Sequence, residues 1–356
     1  MTATIAKALV AVLPVLLFLG VLVLMDSFKL ARPRAIATAI AWGIVSALLA
    51  YAAQVLLTSI LPLPPVWNSG IIGPLTEEVL KAAFIAHLIL RRRIGFPVDA
   101  AQLGFAVGTG FALIENLQYL RVLSDASFVL WYVRGLGTAM LHGATTAVFA
   151  MLSHTAAERH RDRRVVIFMP GLIAALAIHG AFNLVPVSRL ATTAVLLLAL
   201  PLVMLWVFAR SERATREWVG AGLDLDFMLH EVFSSDTLGR TRFSTYLQEL
   251  RQRFPGPVVA DMLCLLRVEL ELSIQAKTVL LARDAGVNMP VHPDAHSAVA
   301  EIRYLRSSIG PTGLLALRPI HVTSHRDDWH RYVLLGSDST QSRWSRFLPA
   351  WRKREG

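Results

Sequence analysis

Apolar residues along this chain run on in long blocks and do not alternate with polar ones. Seven stretches meet or approach the roughly 20 residues that a bilayer core requires, at 8–25, 35–60, 71–90, 103–120, 128–153, 166–187 and 190–209. They predict an all-α, polytopic transmembrane helical bundle of about seven spans. Beyond residue 210 the pattern changes to mixed polar and charged sequence. Helical periodicity there falls at 241–253, 257–284 and 294–308, and Phe254 to Pro257, Gly286 and Gly310-Pro311 interrupt it. The expected organisation is therefore a membrane domain over 1–210 and a mostly helical soluble domain over 211–356, with no internal repeat.

Composition agrees with that division. A hydrophobic content of 54% with 17% charged residues and a mean hydropathy of +0.52 are wrong for two ordinary soluble domains. The net charge of +10 arises mainly before residue 211, where 16 Lys/Arg stand against 8 Asp/Glu; the remainder has 19 against 17. Basic excess in membrane loops is a topology signal that also attracts anionic lipid, so it argues for a bilayer partner and against nucleic acid. Loops after the odd-numbered spans contain Lys29, Arg32 and Arg34; Arg91 to Arg93; Arg159, Arg161, Arg163 and Arg164; and Arg210, Arg213 and Arg216. The opposite side has little beyond Lys7, Arg121, Arg134 and Arg189, so the positive-inside rule places the N-terminus outside and the second domain in the cytoplasm. Only Lys7 precedes the first run, and no small-x-small cleavage site follows it, so it is expected to be a retained anchor. The single cysteine, Cys264, excludes an intrachain disulfide.

Against this background, ionisable residues within spans call for partners, water or a function. Glu77 and Glu78 precede Lys81 by four and three positions, which puts the ammonium within about 40–60° of both carboxylates on a helix. The bland reading is a helix that starts at Gly73-Pro74 with acids in its first turn. The chemical one is a carboxylate pair that cannot ionise freely together, so that one of them becomes a general base. The small residues Gly104, Gly108 and Ala112 recur every four positions and serve close helix packing, whereas Glu115 at the end of that span reads either as an interfacial acid next to Arg121 or as a carboxylate facing Glu77 and Glu78 across the bundle. His142 lies midway along the fifth run, and His179 and Asn183 share a face of the sixth. By the topology above, all these residues fall in the middle-to-outer part of the membrane. Glu115, His142 and His179 are ligand types of many catalytic zinc sites, which keep a further position for water. A metal-free water activated by glutamate, with His179 and Asn183 on an oxyanion, satisfies the same residues. Histidines elsewhere (His87, His292, His296, His321, His325 and His330) are expected at surfaces.

Glu77-Glu78-x-x-Lys81, then Phe111-x-x-x-Glu115-Asn116, then His142, then His179-x-x-x-Asn183 together resemble the PrsW family of intramembrane proteases. That family is more distantly similar to the CAAX prenyl-protease and bacteriocin-processing group. The resemblance covers about residues 70–187. It implies catalytic or near-catalytic roles for Glu77, Glu78, Glu115, His142 and His179, with Lys81, Asn116 and Asn183 in support. It also implies a membrane-protein substrate such as a single-span anti-sigma factor, and a bacterial cytoplasmic membrane. The CAAX pattern has an arginine one position after Lys81 and a histidine where Glu115 stands, so its mechanism transfers imperfectly. Members of the PrsW family have been described as metalloproteases and as glutamic proteases. The competing class is a proton-coupled transporter or membrane sensor with a Glu/Lys/His relay.

Overall fold

In the computed structural model, residues 2–26, 33–60, 64–91, 93–159, 165–184, 188–234, 242–287, 289, 294–317 and 333–334 are described. Of the described residues 92% are helical, and no strand occurs among them. It divides into two compact units, Met1–Glu212 and Arg213–Gly356. The loop residues Lys29, Arg32, Arg92, Arg161, Arg163 and Arg164 lie outside the described residues, as do His292, His321, His325, His330 and the basic cluster Arg352 to Arg354.

The first unit contains α1 (Thr2–Leu24), α2 (Pro33–Ile60), α3 (Gly73–Leu90), α4 (Pro97–Val122), α5 (Ala139–Arg159), α6 (Met169–Leu184) and the opening half of α7 (Arg189–Ser234). Among the described residues six segments are long and apolar enough to cross a membrane: Thr4–Leu24, Pro33–Ile60, Pro97–Val122, Phe128–Arg159, Val166–Leu184 and Leu190–Glu217. The expected seventh, 71–90, forms α3. Its 18 residues give about 27 Å of helix, yet Glu77, Glu78 and Lys81 make it too polar to qualify. Its charges turn away from lipid, with Glu78 and Lys81 buried inside the bundle.

Helix α4 is the axis of this unit. In its most apolar window 83% of residues are buried, against 22% for α1, α2 and α6. Glycines allow the approach. Gly104 and Gly108 sit on the backbone of α5 at Thr146 and His142, while Gly110 abuts Ile40 of α2, and Gly43 of α2 abuts α4. At these points a methyl group would meet main chain, which cannot rotate away. Helix α4 starts at Pro97, with the Phe96 N–H donating to Asp99 Oδ2 at 3.2 Å, so its first turn is closed by a side-chain acceptor.

Two wide π-helical turns, Asn68–Ile72 and Val133–Thr138, run directly into α3 and α5. They correct one expectation. Gly73-Pro74 does not begin a helix: Gly73 N–H donates to Asn68 O, five residues back, and the backbone is already helical from Pro65. Glu77 and Glu78 are consequently more than two turns inside a continuous helical run, too deep to serve as first-turn acids. Pro74 has no N–H to offer, and a widened turn ahead of it accommodates that.

The second unit contains the end of α7, α8 (Arg242–Arg253), α9 (Gly256–Asp284) and α10 (Ala295–Leu317). Gly310 breaks α10 with a positive φ of 70°, and Pro311 starts the following turn. Buried Val259, Met262, Leu265, Val299, Ile302 and Leu305 form part of the core. Asp226 of α7 is also buried and accepts from Ser273 Oγ and Lys277 Nζ of α9, each at 2.6 Å.

Candidate active site

The polar side chains of α3, α4, α5 and α6 meet between those helices in one buried cluster. Glu78 is its hub. Its Oε1 accepts from Lys81 Nζ at 2.6 Å, His179 Nδ1 at 2.7 Å and Thr145 Oγ1 at 3.0 Å. Lys81 is entirely shielded from solvent, and its Nζ lies 3.1 Å from His142 Nδ1 and 4.8 Å above the Phe111 ring. The two imidazoles meet edge to face, with centroids 5.1 Å apart and planes at 82°. On the far side of His142, Nε2 lies 2.8 Å from Glu115 Oε2.

These contacts fix both tautomers, because an ionised carboxylate only accepts. His179 must carry its proton on Nδ1 to donate to Glu78. His142 must carry its proton on Nε2 to donate to Glu115. The remaining nitrogens, His142 Nδ1 and His179 Nε2, are lone-pair donors, and each lies 3.9 Å from the same atom, Glu77 Oε2. That oxygen is buried and has no hydrogen-bond partner. Glu77, His142 and His179 can each offer a ligand atom within 4.8 Å of the others.

Three carboxylates thus have three different situations. Glu78 is saturated by donors, and Glu115 is held by His142 and by Arg134, whose Nη2 lies 3.0 Å away. Glu77 alone points an uncommitted oxygen at two imidazoles. The metal ligands named from sequence were Glu115, His142 and His179; the geometry gathers Glu77 with the histidines, because Glu115 faces the opposite ring edge. Lys81 spends its ammonium on Glu78 and His142, so it does not bridge the two glutamates. Asn183 donates to Ser69 O at 2.9 Å and ties α6 to the wide turn before α3. Asn116 donates to Ala11 O at 2.8 Å and accepts from Arg134 Nε at 2.8 Å. His87 and His296 are exposed.

Sequence reasoning missed Thr145 and Arg134. Thr145 follows His142 by three positions, one helical turn, which was the available signal. Arg134 was counted among loop charges, although it is 6% exposed; an arginine eight residues before a membrane histidine, within an apolar run, was the clue.

A bundle of membrane-length helices enclosing two imidazoles and a buried carboxylate oxygen without a donor defines a class: an integral membrane enzyme with its chemistry inside the bundle. Residues 31–210 match the model of the PrsW family intramembrane metalloproteases. The chain belongs to that family and is a peptidase. No curated protein and no solved structure matches it.

Proposed function

We propose that the protein cuts a peptide bond of a membrane-protein substrate at the Glu77, His142 and His179 cluster, in the outer half of a bacterial cytoplasmic membrane. In this reading the N-terminus is outside and the second domain is cytoplasmic. The observation that carries it is Glu77 Oε2, a buried carboxylate oxygen without a donor, facing two imidazole lone pairs. Burying such an oxygen unpaired is costly. A divalent metal is the partner that suits this set, since two neutral imidazoles and a carboxylate are the donors of many catalytic zinc sites. Each imidazole also donates its other N–H to a carboxylate, the arrangement that orients metal-binding histidines.

Glu77 Oε2, His142 Nδ1 and His179 Nε2 would hold the metal. When bound, such a metal supplies Lewis acidity to the scissile carbonyl and makes a coordinated water more acidic. The other roles belong to the chain. Glu115 and Glu78 keep the two rings in the required tautomers. Lys81 neutralises Glu78 and donates to the His142 lone pair, so ammonium and metal compete for one nitrogen. One oxygen of Glu77 suffices as a ligand; the second takes a proton from the attacking water and returns it to the leaving amine. Water and peptide are consumed, and a carboxylate and an amine result.

The substrate reading, a single-span protein such as an anti-sigma factor, rests on the family resemblance. Membrane proteins that accumulate with a Glu77→Gln variant, captured and identified by mass spectrometry, test it. Active protein that enriches no membrane protein in its Gln form would overturn the substrate assignment. Purified enzyme should bind about one equivalent of metal and lose cleavage on chelation. Full activity after exhaustive chelation, with no metal by elemental analysis, would leave Glu77 as sole activator of water.

A further inference from the structure

Arg134 is the buried charge that the mechanism above does not use. It stands on the wide turn Val133–Thr138, where Ala139 N–H donates to Arg134 O, five residues back. In an unbroken α-helix, eight residues would leave Arg134 about 80° round from His142. The wider turn removes part of that angle, and both side chains reach the same atom. Arg134 Nη2 lies 3.0 Å from Glu115 Oε2 as an ion pair, its N–H directed off the hydrogen-bond line; His142 Nε2 lies 2.8 Å from that oxygen. The guanidinium carbon also sits 3.5 Å from the Tyr119 ring centroid, and Nε donates to Asn116 Oδ1 at 2.8 Å. Asn116 in turn donates to Ala11 O.

The last acceptor comes from α1, which precedes the family-matched residues 31–210. Helix α1 has Pro14 within it, and a proline lacks the N–H that would bond the carbonyl four residues back, Val10 O. Gly135, next to Arg134, packs against that same carbonyl, and a methyl group there would also come within 3.0 Å of Ala11 Cα. The wide turn is thereby pressed onto α1 at the Val10 carbonyl, one turn before Pro14.

We propose that Arg134 is a positioning residue for the peptidase site: held by Asn116 and the α1 backbone, it fixes Glu115 so that His142 keeps Nε2–H outward and aims Nδ1 at Glu77. The inference rests on the reading of His142 as a site residue. It makes α1 a working part of the site as well as an anchor.

The test uses full-length protein in detergent micelles with ¹⁵N-labelled histidine and no added metal. His142 is assigned by the signal that His142→Ala removes, and its ring nitrogens report the tautomer. Wild type should show one Nε2–H form. Arg134→Gln should move His142 toward a tautomer-averaged signal, and Arg134→Lys, which keeps the charge but cannot bridge to Asn116, should recover part of the shift. In a parallel titration, Arg134→Gln should weaken Co²⁺ binding about 10–100-fold and alter its visible absorption bands. A purely structural role would lower thermal stability and leave tautomer and Co²⁺ affinity unchanged, and that result overturns the proposal. Should Arg134→Gln fail to fold, Arg134→Lys and Asn116→Leu carry the test, and wild-type tautomers in both refute it. Wild-type protein that binds no Co²⁺ refutes the metal reading alone, because the tautomer measurement does not depend on metal.

Discussion

Glu77 and Glu78 are adjacent, yet replacing each by glutamine should have opposite consequences. Glu78 Oε1 receives Lys81 at 2.6 Å, His179 at 2.7 Å and Thr145 at 3.0 Å. Glutamine keeps one carbonyl oxygen there and removes the charge, leaving an ammonium with no solvent exposure and only His142 and the Phe111 face for company. Breaking a buried ion pair by removing one partner costs about 3–5 kcal/mol. Glu77 Oε2 has no donor to lose, and its side chain is 23% exposed, so Glu77→Gln should change stability by about 0.5 kcal/mol or less. The two isosteric variants should therefore differ by roughly 3 kcal/mol in SDS unfolding from mixed micelles. Cleavage of one membrane substrate should rank them differently: Glu77→Gln folds and loses about 10²–10⁴-fold in rate, as removal of a proton acceptor does. Equal stabilities, or a Glu77→Gln variant less stable than Glu78→Gln, would refute the assignment of Glu78 as hub and Glu77 as the uncommitted group.

Gly108→Ala should cost about 1–3 kcal/mol, because its methyl group meets His142 main chain and lies 2.6 Å from Gly143 Cα. Displacing α5 by about an ångström should also lower kcat by roughly 10²-fold; near-normal cleavage by a destabilised variant would show that the site tolerates that shift. In the second unit, Lys277→Met leaves Asp226 with Ser273 alone and should destabilise that unit by about 3–5 kcal/mol. Proteolytic susceptibility of its α9 segment in the full chain measures this, and an unchanged digestion pattern would count against the pair as a structural element.

Helix class and the number of long apolar runs were legible because membrane-spanning length is a property of one continuous stretch of residues. The partners in the cluster were less so. Glu77, Glu78, His142 and His179 could be singled out because charge inside such a run is unusual, but spacing says nothing about which imidazole nitrogen faces which carboxylate. Both wide turns escaped notice, since no residue type encodes a π turn and an apolar pattern absorbs one extra residue silently. That omission explains two misplacements. Gly73-Pro74 resembled a helix start because proline usually stands there, and Arg134 resembled a loop charge because an α-helical register gave it no reason to face Glu115. Asn183 shared a predicted face with His179, yet its amide found a nearer acceptor in Ser69 O.

The distribution of donors explains how so many charges are tolerated in an apolar bundle, and why one is left incomplete. Lys81 meets Glu78, and Arg134 meets Glu115; both imidazoles donate to those carboxylates, and Thr145 adds a further bond. Apart from Arg134 Nη2, which meets Glu115 as an ion pair only, these groups are hydrogen-bonded by neighbours on a different turn or helix, so the network resists rearrangement as a unit. The same bonds spend the outward nitrogen of each histidine; of the inward ones, His142 Nδ1 has Lys81 Nζ at 3.1 Å and His179 Nε2 faces Glu77. A structural network could have closed on itself by giving Glu77 a donor, and Lys81 is near enough in sequence to have been that donor. Its commitment to Glu78 and His142 instead leaves Glu77 Oε2 without a donor while it faces both imidazoles, an arrangement that suits a hydrolytic metal centre better than a packing network.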